Sequence, residues 1–177
     1  SGIDEIQPGA EGLLFTPYIV GERTPHPDAD IRGSFIGIDA SHTLPHFARA
    51  VLEGITFSLR ESIDILRESG KTITEVISIG GGAKNETWLQ MQADVFGARI
   101  VRLENEQGPA MGAAMLAAYG SGWFESLEEC ATAFLKTSRS YTPDAERVKR
   151  YDELFAIYQD VYAQTADLNR RLASLRS

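Results

Sequence analysis

Residues 72–94 read TITEVISIGGGAKNETWLQMQAD. The segment opens on an alternating, β-branched run of Ile73, Val76, Ile77 and Ile79, as a buried strand does. It breaks at Gly80, Gly81 and Gly82. It then resumes as a helix, with Trp88, Leu89, Met91, Val95 and Phe96 recurring at three- and four-residue spacings. Three glycines between a strand and a helix strip every Cβ from the turn. A flat ligand can then approach the backbone closely, and the N–H groups that open the next helix point toward it. The same glycines also suit a sharp turn, or a helix packed tightly on its sheet. On spacing alone both readings stay open.

Working outward from this segment, the preceding residues 43–70 read as a long amphipathic helix. Thr43 caps it, Pro45 is tolerated in its first turn and Gly70 ends it. Leu44, Phe47, Ala48, Val51, Leu52, Ile55, Leu59, Ile63 and Leu66 form its expected apolar stripe. Two short strands are expected before it, at residues 12–18 and 34–38. Between them, residues 21–33 (GERTPHPDADIRG) form a Pro-, Asp- and Gly-rich loop with Glu22, Arg23, Asp28, Asp30 and Arg32. The expectation for that loop is a structural clamp made of Arg–carboxylate pairs. Residues 1–10 are polar, broken by Pro8 and Gly9, and read as a leader or interdomain linker.

Downstream, residues 98–103 (ARIVRL) read as a strand and residues 106–120 as a helix of small residues. Pro109 sits in that helix's first turn, and Ala110, Gly112, Ala113 and Ala114 flatten its face for close approach or tight packing on a sheet. A short helix at residues 126–134 carries Ser126 as its cap and Cys130 as a core residue. A turn follows at residues 141–144. A final long helix carries Val148, Tyr151, Leu154, Phe155, Tyr158, Val161, Tyr162, Leu168 and Leu172 on one face. Strands alternating with helices imply an α/β fold, a sheet covered by helices, in one domain.

Composition narrows the function. The chain has 177 residues, 43% hydrophobic and 24% charged, enough for one ordinary core. A net charge of −8 argues against nucleic acid as a partner, because phosphate neutralisation needs clustered Lys and Arg. One cysteine forms no internal disulfide, which suits a cytoplasmic home. No apolar run approaches the ~20 residues that cross a bilayer, so no membrane partner is expected. His42 and His46 stand four apart, but no further ligand sits at a recognisable metal spacing. Neither a Walker A sequence, a Gly-x-Gly-x-x-Gly helix opening nor a Gly-x-Ser-x-Gly elbow occurs. Composition and spacing therefore stop at a ligand-binding α/β domain whose best pocket is residues 80–85.

A resemblance carries the reading further. Gly33-Ser34-Phe35-Ile36-Gly37-Ile38, seven spacer residues, then His46-Phe47-Ala48-Arg49-Ala50-Val51-Leu52-Glu53 resembles the second signature of the FGGY carbohydrate kinases. The GERTP…D…RG loop, the SIGGGAKN turn with its WLQMQAD helix and the GPAMGAA helix follow the family's order of blocks. Gly21-Glu22-Arg23-Thr24-Pro25-His26 and the C-terminal SYTPDAERVKRYDELFAIYQDVY look most like the xylulokinase branch.

The resemblance implies an actin-like (ribonuclease H-like) ATPase fold with a mixed sheet covered by helices. Residues 11–177 would be the C-terminal nucleotide-binding domain, with ATP and sugar in the cleft toward an N-terminal sugar-binding domain. Gly80, Gly81, Gly82 and Ala83 would lie against adenine and ribose, and Asn85 would hold the nucleoside through its side-chain amide. The small-residue helix would lie near the interdomain hinge. The family's phosphate turns, sugar pocket and aspartate base belong to sequence that precedes this chain, so no catalytic residue and no metal ligand is expected in it. Mg²⁺ would come with the phosphates and the other domain. The expected substrates are ATP and D-xylulose, with another pentulose, gluconate or glycerol as alternatives. The competing class is a non-catalytic module of the same fold, self-associating as a homodimer through its long helices.

Overall fold

The computed structural model describes residues 2–104 and 108–176. In chain order the elements are β1 (Leu14–Thr16), β2 (Ser34–Ile36), α1 (Leu44–Glu68), β3 (Glu75–Ser78), α2 (Glu86–Phe96), β4 (Arg99–Leu103), α3 (Pro109–Gly120), α4 (Leu127–Phe134), β5 (Thr137–Tyr141) and α5 (Ala145–Ala173). β1 and β2 make an antiparallel pair with Phe15 opposite Phe35. β3, β4 and β5 make a mixed sheet in that order, with β3 parallel and β5 antiparallel to β4.

α1 begins where its cap chemistry dictates. Thr43 and His46 form a reciprocal capping box: the Thr43 side chain meets the first-turn backbone, and the Thr43 N–H donates to His46 Nδ1 at 3.1 Å. The helix then crosses β1 at Gly54, where an added Cβ would lie 2.1 Å from the Phe15 carbonyl oxygen. The expected stripe is only partly buried: Phe47, Val51, Leu52 and Ile63 pack against the cores, but the most deeply buried face is another. Leu44, Leu59 and Leu66 are largely exposed, while His46, Arg49, Ala50, Glu53, Gly54, Thr56, Phe57 and Glu61 are buried. Contacts with β1, α2 and α5 explain the change, because they enclose α1 on sides that periodicity treats as polar.

Among the enclosed polar side chains, Arg49 and Glu53 bond to each other and to Tyr151. Glu53 Oε1 accepts from Arg49 Nε at 2.9 Å, from the Tyr151 hydroxyl at 3.0 Å and from the Gly9 N–H at 2.9 Å. Burial pushes the Glu53 carboxyl up from its ordinary range, and Arg49 and the other donors pull against it. Arg49 also donates to the Ile3 carbonyl, and Arg150 to the Pro8 carbonyl. Residues 3–10 therefore lie packed on the helices, with Pro8, Gly9 and Ala10 buried.

The main core lies between α1, α2, β4 and α5. It joins Phe57, Leu89, Val95, Phe96, Ile100, Tyr151, Phe155 and Tyr158, all 4% exposed or less. Asp94, 1% exposed, ties α2 to the start of α5: it accepts from the Asp144 N–H at 2.8 Å and from Arg147 Nε at 2.6 Å. Cys130 is fully buried, as expected.

Three further expectations change. β3 is an edge strand, so Ile77 and Ile79 are 44% and 55% exposed where a buried strand was expected. β5 was missed, because TSRSY has no apolar alternation and only Tyr141 is buried. α3 packs on α4, not on the sheet, and only its Ala118 is buried. The expected helix start at Glu106 lies outside the described residues.

The 21–33 loop is clamped, but by carboxylates on backbone. Glu22 accepts from the N–H groups of Arg23 and Thr24, and Asp28 from those of Asp30 and Ile31. Arg32 donates to the carbonyls of Ala29 and Ile31, and the Tyr162 hydroxyl to Asp28. Among the described residues, the loop's arginines form no ion pair with its carboxylates.

Candidate functional site

The three glycines at the end of β3 separate by physical cause. Gly80 has φ +80° and ψ −165°, a backbone state that side chains do not tolerate. Gly82 makes room for Trp88: an added Cβ would stand 2.7 Å from Cζ3 of the indole. Gly81 is different. It has no positive φ, it is exposed, and an added Cβ would meet nothing within 4 Å. Turn geometry and packing account for Gly80 and Gly82, and neither accounts for Gly81.

The turn itself is short and well tied. Residues Gly81–Lys84 form a 3₁₀ turn in which the Ala83 N–H donates to the Gly80 carbonyl at 3.1 Å and the Asn85 N–H to Gly82 at 3.2 Å. Asn85 then caps α2, its Oδ1 accepting from the Trp88 N–H at 3.1 Å. Of the residues expected to meet a nucleoside, Gly80, Gly81 and Asn85 are each exposed. Gly82 is half-buried, and Ala83 is 3% exposed, part of the packing beneath the turn.

Sequence reasoning counted Trp88 merely as an apolar member of α2 and passed over Thr56. Trp88 is the third residue of α2, and a helical side chain lies over the turn that precedes its own Cα. That rule places the indole under the glycine turn, and it was available from the spacing of Asn85 and Trp88.

The two histidines have other duties than metal binding. His46 Nδ1 takes the capping N–H, and its Nε2 lies 3.3 Å from Glu11. His42 Nδ1 accepts from the Asp39 N–H at 2.9 Å. Among the described residues, no group of three or more His, Cys, Asp or Glu side chains is placed to hold a metal ion. No helix among them is long and apolar enough to cross a membrane.

Comparison with known proteins identifies the family. Residues 4–121 match the family model described as the FGGY family of carbohydrate kinases, C-terminal domain. The chain belongs to the FGGY family of carbohydrate kinases. A xylulose kinase of Bacillus subtilis (strain 168) is 61% identical over 99% of this chain, which spans 35% of that protein. A gluconokinase of the same strain is 35% identical over 94% of the chain. The structure of a ligand-bound xylulose kinase from Lactobacillus acidophilus superposes with a TM-score of 0.88 at 30% identity, covering 96% of this chain and 34% of that one. The chain thus has the α/β, actin-like fold of the FGGY kinases and spans about a third of the length of the relatives it matches.

Proposed function

We propose that this chain is the nucleotide-side domain of a xylulose kinase, in which the γ-phosphate of ATP passes to a hydroxyl of D-xylulose to give D-xylulose 5-phosphate. The observation that carries the site is Gly81, an exposed glycine that no turn or packing contact in this chain requires. The choice of sugar follows the relatives, since the xylulose kinase is far closer in sequence than the gluconokinase.

In this reading the nucleoside lies against Gly80, Gly81 and Asn85. The Asn85 oxygen is committed to the α2 cap, so its contact to the nucleoside is made by the amide nitrogen, a donor. Gly82 and Ala83 shape the turn from below. Phosphoryl transfer runs largely on positioning and on charge neutralisation. This chain supplies the first of these for the nucleoside. Mg²⁺, carried on the phosphates, would supply the second, with the phosphate turns, sugar pocket and base belonging to an N-terminal domain. The enzyme so composed works in the cytoplasm, and this chain alone phosphorylates nothing. Xylulose phosphorylation by this chain alone would overturn that division of labour.

The test of the site is Gly81→Val in the intact kinase. An added Cβ at Gly81 meets nothing within 4 Å, so the variant is expected to fold. The expected outcome is a KM for ATP raised by about tenfold or more, as loss of a flat contact surface implies, with the KM for D-xylulose unchanged. An unchanged KM for ATP would make Gly81 structural and remove the site. Preference for gluconate over xylulose would overturn the sugar assignment alone.

A further inference from the structure

Beneath the glycine turn stands a strut that joins it to the centre of the molecule. Trp88 Nε1 donates to Thr56 Oγ1 at 2.9 Å. Thr56 is fully buried in α1, and its own hydroxyl proton goes to the Leu52 carbonyl at 2.6 Å. The hydroxyl therefore faces the indole with a lone pair, oriented by the helix behind it. On the other side, the six-membered ring occupies the place of a Gly82 side chain, with Cζ3, Cε3 and Cη2 at 2.7, 3.1 and 3.3 Å from an ideal Cβ. The Trp88 main chain is held too, by Asn85. One residue thus touches the turn at Gly82 and at Asn85, and its ring is pinned by α1.

We propose that Thr56 and Trp88 are positioning residues for the nucleotide: their hydrogen bond sets the height of the ring, and the ring sets the height of the turn. The proposal rests on the reading of Gly81 as a nucleoside contact. Two features favour a positioning role over simple packing. A packed indole N–H needs a partner, and here that partner is a buried hydroxyl already oriented by α1, which fixes the ring in its plane. The turn above it has no side chains of its own at residues 80–82, so the ring edge is what defines its floor. Loss of the bond leaves the indole free to shift, which moves Gly81 and Asn85 relative to β3. The strut also ties the turn to α1, so a displacement of that helix is transmitted to the nucleotide surface.

The test uses the intact kinase with Thr56→Val, Trp88→Phe, the double variant and Thr56→Ser. Removing one hydrogen bond is expected to raise the KM for ATP about two- to tenfold in either single variant. The double variant should be no worse than the weaker single, because both remove the same bond. The KM for D-xylulose should stay put, and Thr56→Ser, which keeps the hydroxyl, should restore the KM for ATP. Wild-type KM for ATP in both single variants, with Gly81→Val still impaired, would overturn the strut and leave the site standing. Wild-type KM in Gly81→Val as well would remove the site and the strut together. A fall in thermal stability and kcat with both KM values unchanged would show the pair to be packing only, and would also overturn the proposal. If Trp88→Phe does not fold, the contrast between Thr56→Val and Thr56→Ser decides alone.

Discussion

Gly54 and Gly81 stand on opposite kinds of ground. At Gly54, α1 presses onto β1 so closely that an added Cβ would meet a backbone oxygen 2.1 Å away. At Gly81 the same added atom would meet nothing within 4 Å. The contrast extends to the regions around them. The side built from residues 3–16, α1, α2 and α5 is closed, and at its centre Arg49, Glu53 and Tyr151 are bonded to each other and to the backbone of Ile3 and Gly9 across three segments. β3, the glycine turn and α3 are open by contrast, with Ile77, Ile79, Leu116 and Tyr119 each at least 42% exposed. Small and apolar residues on a closed side report internal packing. On an open side they have no internal explanation, and that is where a ligand or another surface of the enzyme should be sought.

The strongest way to break this comparison is to attack the closed side at its charged centre. Arg49→Met removes the guanidinium from Glu53 and leaves a buried carboxylate with only two neutral donors, the Gly9 N–H and the Tyr151 hydroxyl. Breaking a buried pair in this way is expected to cost about 3–5 kcal/mol. Chemical denaturation of the isolated chain measures it. A loss below about 1 kcal/mol, the range of a surface pair, would mean that the closed side does not depend on its polar centre.

A finer comparison lies inside the glycine turn. Gly82→Ala forces a methyl against an indole that is pinned at its other edge, and overpacking of this kind costs about 1–3 kcal/mol. Gly81→Ala, one residue away, should change stability by no more than about 0.5 kcal/mol, as open surface positions do. Thermal unfolding of the two variants side by side reads the difference. Equal losses would erase the distinction between a glycine kept for packing and one kept for a ligand.

These differences also mark what the sequence made legible. Order and type of most elements were readable, because strand alternation, the Thr43, Asn85 and Ser126 caps and the Gly70 stop are local signals. The buried face of α1 was not, because its polar members are admitted only by partners 44 to 102 residues away in sequence, Gly9 and Tyr151 among them. β5 was invisible for the opposite reason: its pairing with β4 is a backbone matter, and four of its five residues face solvent. At the candidate site, the GGG run marked the turn between β3 and α2. That each glycine answers to a separate cause required the position of Trp88, which is tertiary information resting on Thr56.

The closed side has one flaw that pH should expose. Glu61 is 5% exposed, and its Oε2 has no hydrogen-bond partner among the described residues. Burial, with Glu22 and Asp64 adding like charge, pushes its carboxyl up to about 7. The groups around it are His26, whose Nε2 lies 3.9 Å from Oε1, and the hydroxyls of Tyr18 and Tyr158. A carboxyl raised in the folded state holds its proton to higher pH than the unfolded chain does. Unfolding then releases that proton, so stability from this group is fully present below the ordinary carboxylate range and is lost as pH rises toward about 7. Glu61→Gln keeps the shape and cannot ionise. Its melting temperature should gain on the parent chain as pH climbs through that window, with no further gain above it. His26 is the basic side chain beside Glu61, so the test includes His26→Gln, in which the Glu61 effect should persist. Parallel profiles for Glu61→Gln and the parent from pH 4.5 to 7 would mean that Glu61 ionises there as freely as on an open surface, and the closed side would have no such flaw.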